Sequence, residues 1–384
     1  MRLRIACAAS LALVLGACST VGSYYDRWFG SEPAQKPTEL TTITPTVEAR
    51  IAWQASVGAG DRFAFGPVVR NGFVYAANAA GEVSKLELAS GKQVWRAATG
   101  VRASAGPGAD GRLAVIGTSR GEVVAVDDAG QVAWKTLVSG EVLSSPSIFE
   151  DFVVVKSGDG RISGLATVDG RRRWVYQRAL PALTVRSPAG ITAVNGGVFT
   201  GFPGGKIGAL IVNSGTLAWE ATVANPRGST ELERMTDIVG APLVEGRVVC
   251  AVAYQGRAGC FDATNGTQLW VRDFSSVAPL AADPRYVYAT DDKGLVHAFD
   301  RNTGASIWKQ ERLAGRYVTG AAVIGNHIAV ADFQGYVHLL NRSDGALAGR
   351  VATDGSAIHL SPVAARDALL VLTRNGGLFS ISLR

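Results

Sequence analysis

The side chains with most chemistry to offer in this chain are four cysteines and four histidines among 384 residues. His297 and His338 stand at matching places, in the phrases Gly294-Leu295-Val296-His297 and Gly335-Tyr336-Val337-His338. Repetition of one structural unit accounts for both, and no His/Cys/Asp cluster with ligand spacing accompanies them, so no metal site is expected. His327 and His359 are isolated. Cys250 and Cys260 flank the turn Gln255-Gly256 on adjacent strands of one unit. In an oxidising compartment they either form a disulfide or pack as two small buried thiols, and both readings stay open. Asp159-Gly160 and Asp169-Gly170 are hairpin-turn pairs, and no phosphate-loop spacing appears. No catalytic and no cofactor-binding residue is assigned, so binding is the expected work of the chain.

Cys7 and Cys18 lie in a segment with its own logic. Arg2 and Arg4 precede the apolar run from Ile5 to Gly16, which is too short to span a bilayer as a permanent helix and has the form of an export signal. It ends in Leu15-Gly16-Ala17-Cys18, which resembles the bacterial lipobox. Residues 1–17 would then be a lipoprotein signal peptide, and Cys18 the acylated mature N-terminus. Ser19 follows where an Asp would retain a lipoprotein in the inner membrane, so the expected address is the periplasmic face of the outer membrane, through a lipid anchor. Residues 18–48 carry Pro33, Pro37 and Pro45 among polar residues and read as a lipidated N-terminus followed by a flexible tether. The formal net charge is +6, and no Lys/Arg run exceeds Arg171-Arg172-Arg173. Nucleic acid is not an expected partner.

The scaffold behind these residues is a repeat. Trp53, Trp95, Trp134, Trp174, Trp219, Trp270 and Trp308 recur about every 40 residues, the period of a propeller blade. Six of them follow a Gly by four residues, as in Leu88-Ala89-Ser90-Gly91-Lys92-Gln93-Val94-Trp95; Gly345 to Gly349 keeps that frame without the Trp. Small-Pro or small-Ala pairs open eight units, from Gly66-Pro67 and Gly106-Pro107 to Ala321-Ala322 and Ser361-Pro362. Within a unit, short apolar segments such as Phe73 to Ala77 and Glu82 to Leu88 are separated by Gly-containing turns, which implies four antiparallel strands. The last unit ends at Arg384 one strand short, while the strand around Trp53 precedes the first unit. The expected fold is all-β: an eight-bladed β-propeller over residues 49–384, with the N-terminal strand completing the last blade and closing the ring. One Trp per blade is expected to pack blade against blade.

Asp300-Arg301-Asn302-Thr303-Gly304-Ala305-Ser306-Ile307-Trp308 resembles the repeat phrase of quinoprotein-type propellers. In quinone-dependent dehydrogenases that fold holds pyrroloquinoline quinone and calcium with an adjacent Cys-Cys pair, which this sequence lacks. The lipobox, the tether, the eight units and the segment Gly228-Ser229-Thr230-Glu231-Leu232-Glu233-Arg234-Met235-Thr236-Asp237 are together similar to the BamB family, the lipoprotein subunits of the outer-membrane β-barrel assembly machinery. That resemblance implies a non-catalytic scaffold that needs no cofactor. It would bind the periplasmic POTRA domains of the central barrel-inserting subunit, stay near unfolded outer-membrane proteins, and aid insertion of β-barrels. The contacts it implies fall on Leu183, Val185, Arg186 and Asp237, while Val239 stands where the family pattern expects a second Asp. The residues support the same place independently, since Leu183, Val185 and Arg186 bring two apolar anchors and a cation to a connecting segment. Two other functions are weighed: a quinone-dependent dehydrogenase and a glycan-binding envelope lipoprotein. Metabolic labelling with a clickable fatty acid is expected to mark the wild-type chain and to leave Cys18→Ser unmarked; equal labelling of both would remove Cys18 as the acylation site.

Overall fold

Short Val-, Ala- and Ile-rich runs broken by turns become 32 strands in the computed structural model, which describes residues 36–384 apart from 64 and 187–188. The strands group into eight four-stranded antiparallel sheets, each built from strands consecutive in the chain except the last. The first blade is Val68–Arg70, Phe73–Ala77, Glu82–Glu87 and Gln93–Ala98. In the eighth, Val363–Ala365, Ala368–Leu372 and Gly377–Leu383 are completed by the first of the described strands, Ala49–Ser56, which pairs antiparallel with Gly377–Leu383 from Ala49 opposite Leu383 to Ser56 opposite Gly377. The expected eight-bladed propeller and its closure are both present. One opening pair sits differently: Gly106-Pro107 lies within the strand Ala105–Ala109, where a register shift between Ala105 and Gly108 leaves a place for a residue with no N–H to donate.

Blade packing explains the sequence pattern. The second and third strands of a blade are covered on both faces by neighbouring blades, so they read as unbroken apolar runs; Val74 to Ala77 and Val123 to Val126 are all buried. Fourth strands are outer edges and alternate, with Trp turned inward. Each of the seven described indole N–H groups crosses to the next blade, where it donates to a backbone carbonyl in the turn between the third and fourth strands: Trp53 to Leu88, Trp95 to Asp128, Trp134 to Thr167, Trp174 to Val212, Trp219 to Ala263, Trp270 to Arg301 and Trp308 to Arg342, at 2.6–2.9 Å. The same indole lies over that turn's glycine. At Gly304, with φ of +72°, a Cβ would stand 2.7 Å from the Trp270 ring, and the equivalent distances at Gly91, Gly170, Gly215, Gly266 and Gly345 are 2.4–2.6 Å. The Gly four residues ahead of a Trp thus receives the preceding blade's Trp. The Asp and Thr of the repeat phrase fold the same turn, for Asp300 accepts from the Asn302 and Thr303 N–H groups and from the Thr303 hydroxyl.

The missing eighth Trp follows from the closure. The eighth blade takes its fourth strand from the start of the chain, so it has no turn between third and fourth strands for an indole to cover. Instead the segment ahead of the closing strand lies along the seventh blade's outer strand, Leu347–Ala352. Thr46 and Val47 donate their N–H groups to the Ala348 carbonyl at 2.8 and 3.3 Å, and Arg350 Nη1 donates to the Thr41 carbonyl. A Cβ at Gly349 would meet the Val47 carbonyl at 3.0 Å, so the buried Val47 fills the place that Trp holds elsewhere.

The contact of indole on glycine is open to a paired substitution. Gly196→Ala changes a turn residue with φ of +76° and open space around it, and is expected to cost about 1 kcal/mol from backbone strain. Gly304→Ala adds the collision with Trp270, for a loss of about 3 kcal/mol in all. Urea unfolding measures both, and equal midpoints would sink the packing role of the repeat glycine.

Candidate partner-binding site

Strands alternate in direction, so every connection from one blade to the next leaves at the same end of the ring, together with the turns between second and third strands. The connections from Gln177 to Ile191 and from Thr222 to Leu243 are neighbours on that face. They bring together the four residues singled out from sequence, in unequal roles. Leu183 is 48% exposed, Val185 is half-buried and Arg186 is exposed, whereas Asp237 is buried. The Asp237 carboxylate points inward. One oxygen accepts the Val185 N–H at 2.6 Å and the other the Gly204 N–H at 3.0 Å, while the Asp237 carbonyl accepts from Tyr254 N–H. Val239 is buried as well.

Arg186 is not a free cation. Its Nε and Nη2 fork onto the two oxygens of Glu141 at 3.0 and 2.7 Å, and this bond holds the Glu141 carboxyl below its ordinary range. Behind the loop, Lys156 donates Nζ to the Gly201 carbonyl at 2.6 Å. Burial pushes its ammonium down to about 8, opposed by the charge of Asp237. Glu141, Lys156, Val185, Arg186, Phe202 and Asp237 line a pocket of about 290 Å³. The segment Gly228 to Asp237 is a turn tied by its own side chains: Glu233 accepts from the Ser229 and Thr230 N–H groups, and Thr230 accepts the Glu233 N–H in return. This turn leaves Leu232 62% exposed, and Leu180 is 38% exposed on the neighbouring connection. Sequence reasoning missed Glu141, Lys156, Leu180 and Leu232. The Ser-Thr-x-x-Glu spacing was a signal for the last of these, whereas Glu141, on the connection from the second blade to the third, and Lys156, on the third blade, gave none.

The remaining chemistry-bearing residues fall elsewhere. His297 and His338 each bond through Nε2 to the Asp six residues earlier, Asp291 and Asp332, at 2.9 Å. His338 is fully buried and accepts from Arg350 Nε–H on Nδ1; its proton therefore sits on Nε2, and burial lowers its pKa. Asp291 and Asp332 also accept the N–H four residues on, so the pair is a turn device used twice. Among the described residues no group of three or more His, Cys, Asp or Glu is placed to hold a metal. Gly117-Thr118-Ser119-Arg120-Gly121 has the outline of a nucleophile elbow, but it joins two strands and not a strand to a helix, and Thr118 Oγ1 serves the turn by accepting the Glu122 N–H. Cys250 and Cys260, opposite each other on adjacent strands, are joined by a disulfide inside the fifth blade. Cys18 lies outside the described residues.

Comparison with known proteins identifies the family of the whole chain. A family model described as outer membrane protein assembly factor BamB matches residues 79–310. The outer membrane protein assembly factor BamB of Bordetella pertussis is 42% identical over 96% of this chain and 94% of its own, and that of Burkholderia pseudomallei is 39% identical over 98% and 96%. The crystal structure of BamB from Moraxella catarrhalis superposes with a TM-score of 0.80 at 28% identity, over 87% of this chain and all of that one. Quinohemoprotein alcohol dehydrogenase from Comamonas testosteroni shares the fold alone, with a TM-score of 0.71 at 12% identity over 87% of this chain and 76% of that one.

Lys156 makes the face sensitive to pH in a defined direction. An unfolded lysine titrates near about 10.4, above the value of about 8 in the fold. Between the two the unfolded chain binds a proton that the folded chain has released, so this group adds stability as pH rises from about 8 to about 10.4; below about 8 both states are protonated and the burial penalty is constant. Lys156→Met removes the dependence. The difference in urea midpoint between variant and wild type is expected to favour the variant at pH 7.5 and to shrink by pH 9.5, and an unchanged difference would refute the burial of this charge.

Proposed function

The chain belongs to the BamB family of outer membrane protein assembly factors, and from that premise we propose that it is a lipid-anchored scaffold subunit of the machinery that inserts β-barrels into the outer membrane. In this reading residues 1–17 are a signal peptide, Cys18 carries the lipid at the periplasmic face, residues 18–48 are the tether, whose last part from Thr41 already runs along the seventh blade, and residues 49–384 supply the blades of the propeller. The partner is the POTRA region of the central inserting subunit, with unfolded outer-membrane proteins nearby.

One observation carries the partner assignment. Leu183 and Leu232 stand exposed on two consecutive connections, the first of which also carries an Arg186 fixed in place by Glu141. Exposed apolar side chains next to an ordered arginine are the composition of a binding hot spot. Because Asp237 is turned inward, its contribution is to the shape of the loop. The dehydrogenase reading finds less support: the repeat phrase it shares is accounted for by the turn at Asp300 and by the indole on Gly304, and the adjacent Cys-Cys pair is missing.

Capture by immobilised POTRA domains tests the surface. Leu183→Ala is expected to weaken binding about tenfold, the effect of losing a partly buried apolar anchor worth about 1.4 kcal/mol. Arg186→Glu should weaken it further, since it sets two carboxylates side by side with Glu141. Wild-type affinity in both variants, with circular dichroism unchanged, would remove this face from the function.

A further inference from the structure

Resting on the partner-face reading above, we propose that Asp237 and Lys156 form a clamp that holds the Leu183–Arg186 loop in its binding conformation, both acting as positioning residues beneath the contact surface. The clamp closes on one turn. Lys156, on the strand Phe152–Lys156 of the third blade, donates to the Gly201 carbonyl, and Asp237, from the connection after the fourth blade, accepts the Gly204 N–H. Between these two bonds lies the 201–204 turn of the fourth blade. The second Asp237 oxygen then reaches across to Val185. One carboxylate therefore ties the turn, its own connection and the preceding connection together, and it does so in close contact, for a Cβ on Gly201 would stand 2.2 Å from Ile238.

The chemistry allows few substitutes. Two N–H donors approach two oxygens, so a carboxylate satisfies both, while an amide offers one acceptor and turns an NH₂ toward the other donor. A buried carboxylate is costly unless compensated, and Lys156 is the cation whose charge interacts with it. The outcome is visible at the surface. Val185 is fixed through its backbone and Arg186 through its side chain, and Leu183, two residues from the fixed amide, is held exposed on that frame. A loop already ordered when the partner arrives loses less freedom on binding, so the clamp acts on affinity without touching the partner.

The experiment combines amide exchange with capture on POTRA domains, using the full propeller in wild type, Asp237→Asn, Lys156→Met and Leu183→Ala. In both clamp variants the Val185 and Gly204 amides are expected to exchange about tenfold faster, while core amides such as Val154 exchange no faster than in wild type, and thermal unfolding stays close to wild type in Asp237→Asn and is no lower in Lys156→Met. Capture weakens about tenfold in the same two variants, and saturating partner restores Val185 protection, because binding selects the ordered loop. Leu183→Ala weakens capture and leaves Val185 exchange at the wild-type rate. Unchanged Val185 exchange in both clamp variants overturns the clamp. Faster exchange with wild-type capture, where Leu183→Ala still loses it, overturns the positioning role. Wild-type capture by Leu183→Ala overturns the partner-face reading, and the clamp is then judged by exchange alone.

Discussion

An indole reaching from the outer strand of one blade onto the turn glycine of the next is the contact on which the ring depends. It is made seven times, from Trp53 onto Gly91 round to Trp308 onto Gly345. Each buries an aromatic worth up to about 5 kcal/mol in area terms and satisfies its one polar atom on a neighbouring backbone. The contact is directional, since a blade offers its Trp forward and its glycine backward. Blades therefore stack in one sense until the ring closes. At the one junction without an indole, the chain's own start supplies Val47 over Gly349 and the strand Ala49–Ser56. The same stretch thus caps the seventh blade and completes the eighth, making closure a single structural event.

A ring held by its edges and middle strands leaves the inter-blade connections free to differ. Most are short. The two that surround Leu183 and Leu232 are longer and need internal support, which comes from a carboxylate with both oxygens occupied, a lysine behind it and a fork of Arg186 onto Glu141. The buried Asp237 among them holds one geometry firmly because every alternative leaves a donor or acceptor unpaired. The face is apolar at its tips and polar beneath.

The motifs that look most chemical turn out to be turn and packing devices. Asp300 and Thr303 fold a turn, Gly304 admits an indole, and Asp291 with His297 and Asp332 with His338 fasten two equivalent turns. The fold is shared with a quinohemoprotein alcohol dehydrogenase at 12% identity, and in this chain the repeat phrase serves the blade.

The fold was legible because propeller geometry repeats. A Trp period, small-Pro openings, a strand too many before the first unit and a strand too few in the last determine blade number and closure without reference to coordinates, and a turn glycine four residues before a Trp marks six of the blades. The candidate site was legible only as a place. Leu183, Val185, Arg186 and Asp237 were marked by resemblance and by composition, but their roles depend on partners far away in sequence: Glu141 on the second connection, Lys156 on the third blade and Gly204 on the fourth. Local periodicity carries no information about which side chain meets another across blades. Sequence by itself therefore determined the ring and its seam, which follow from repeated short-range patterns. Only the tertiary structure decided that Leu183 faces outward while Asp237 faces inward, because burial and hydrogen-bond satisfaction are set by neighbours that the chain brings together from different blades.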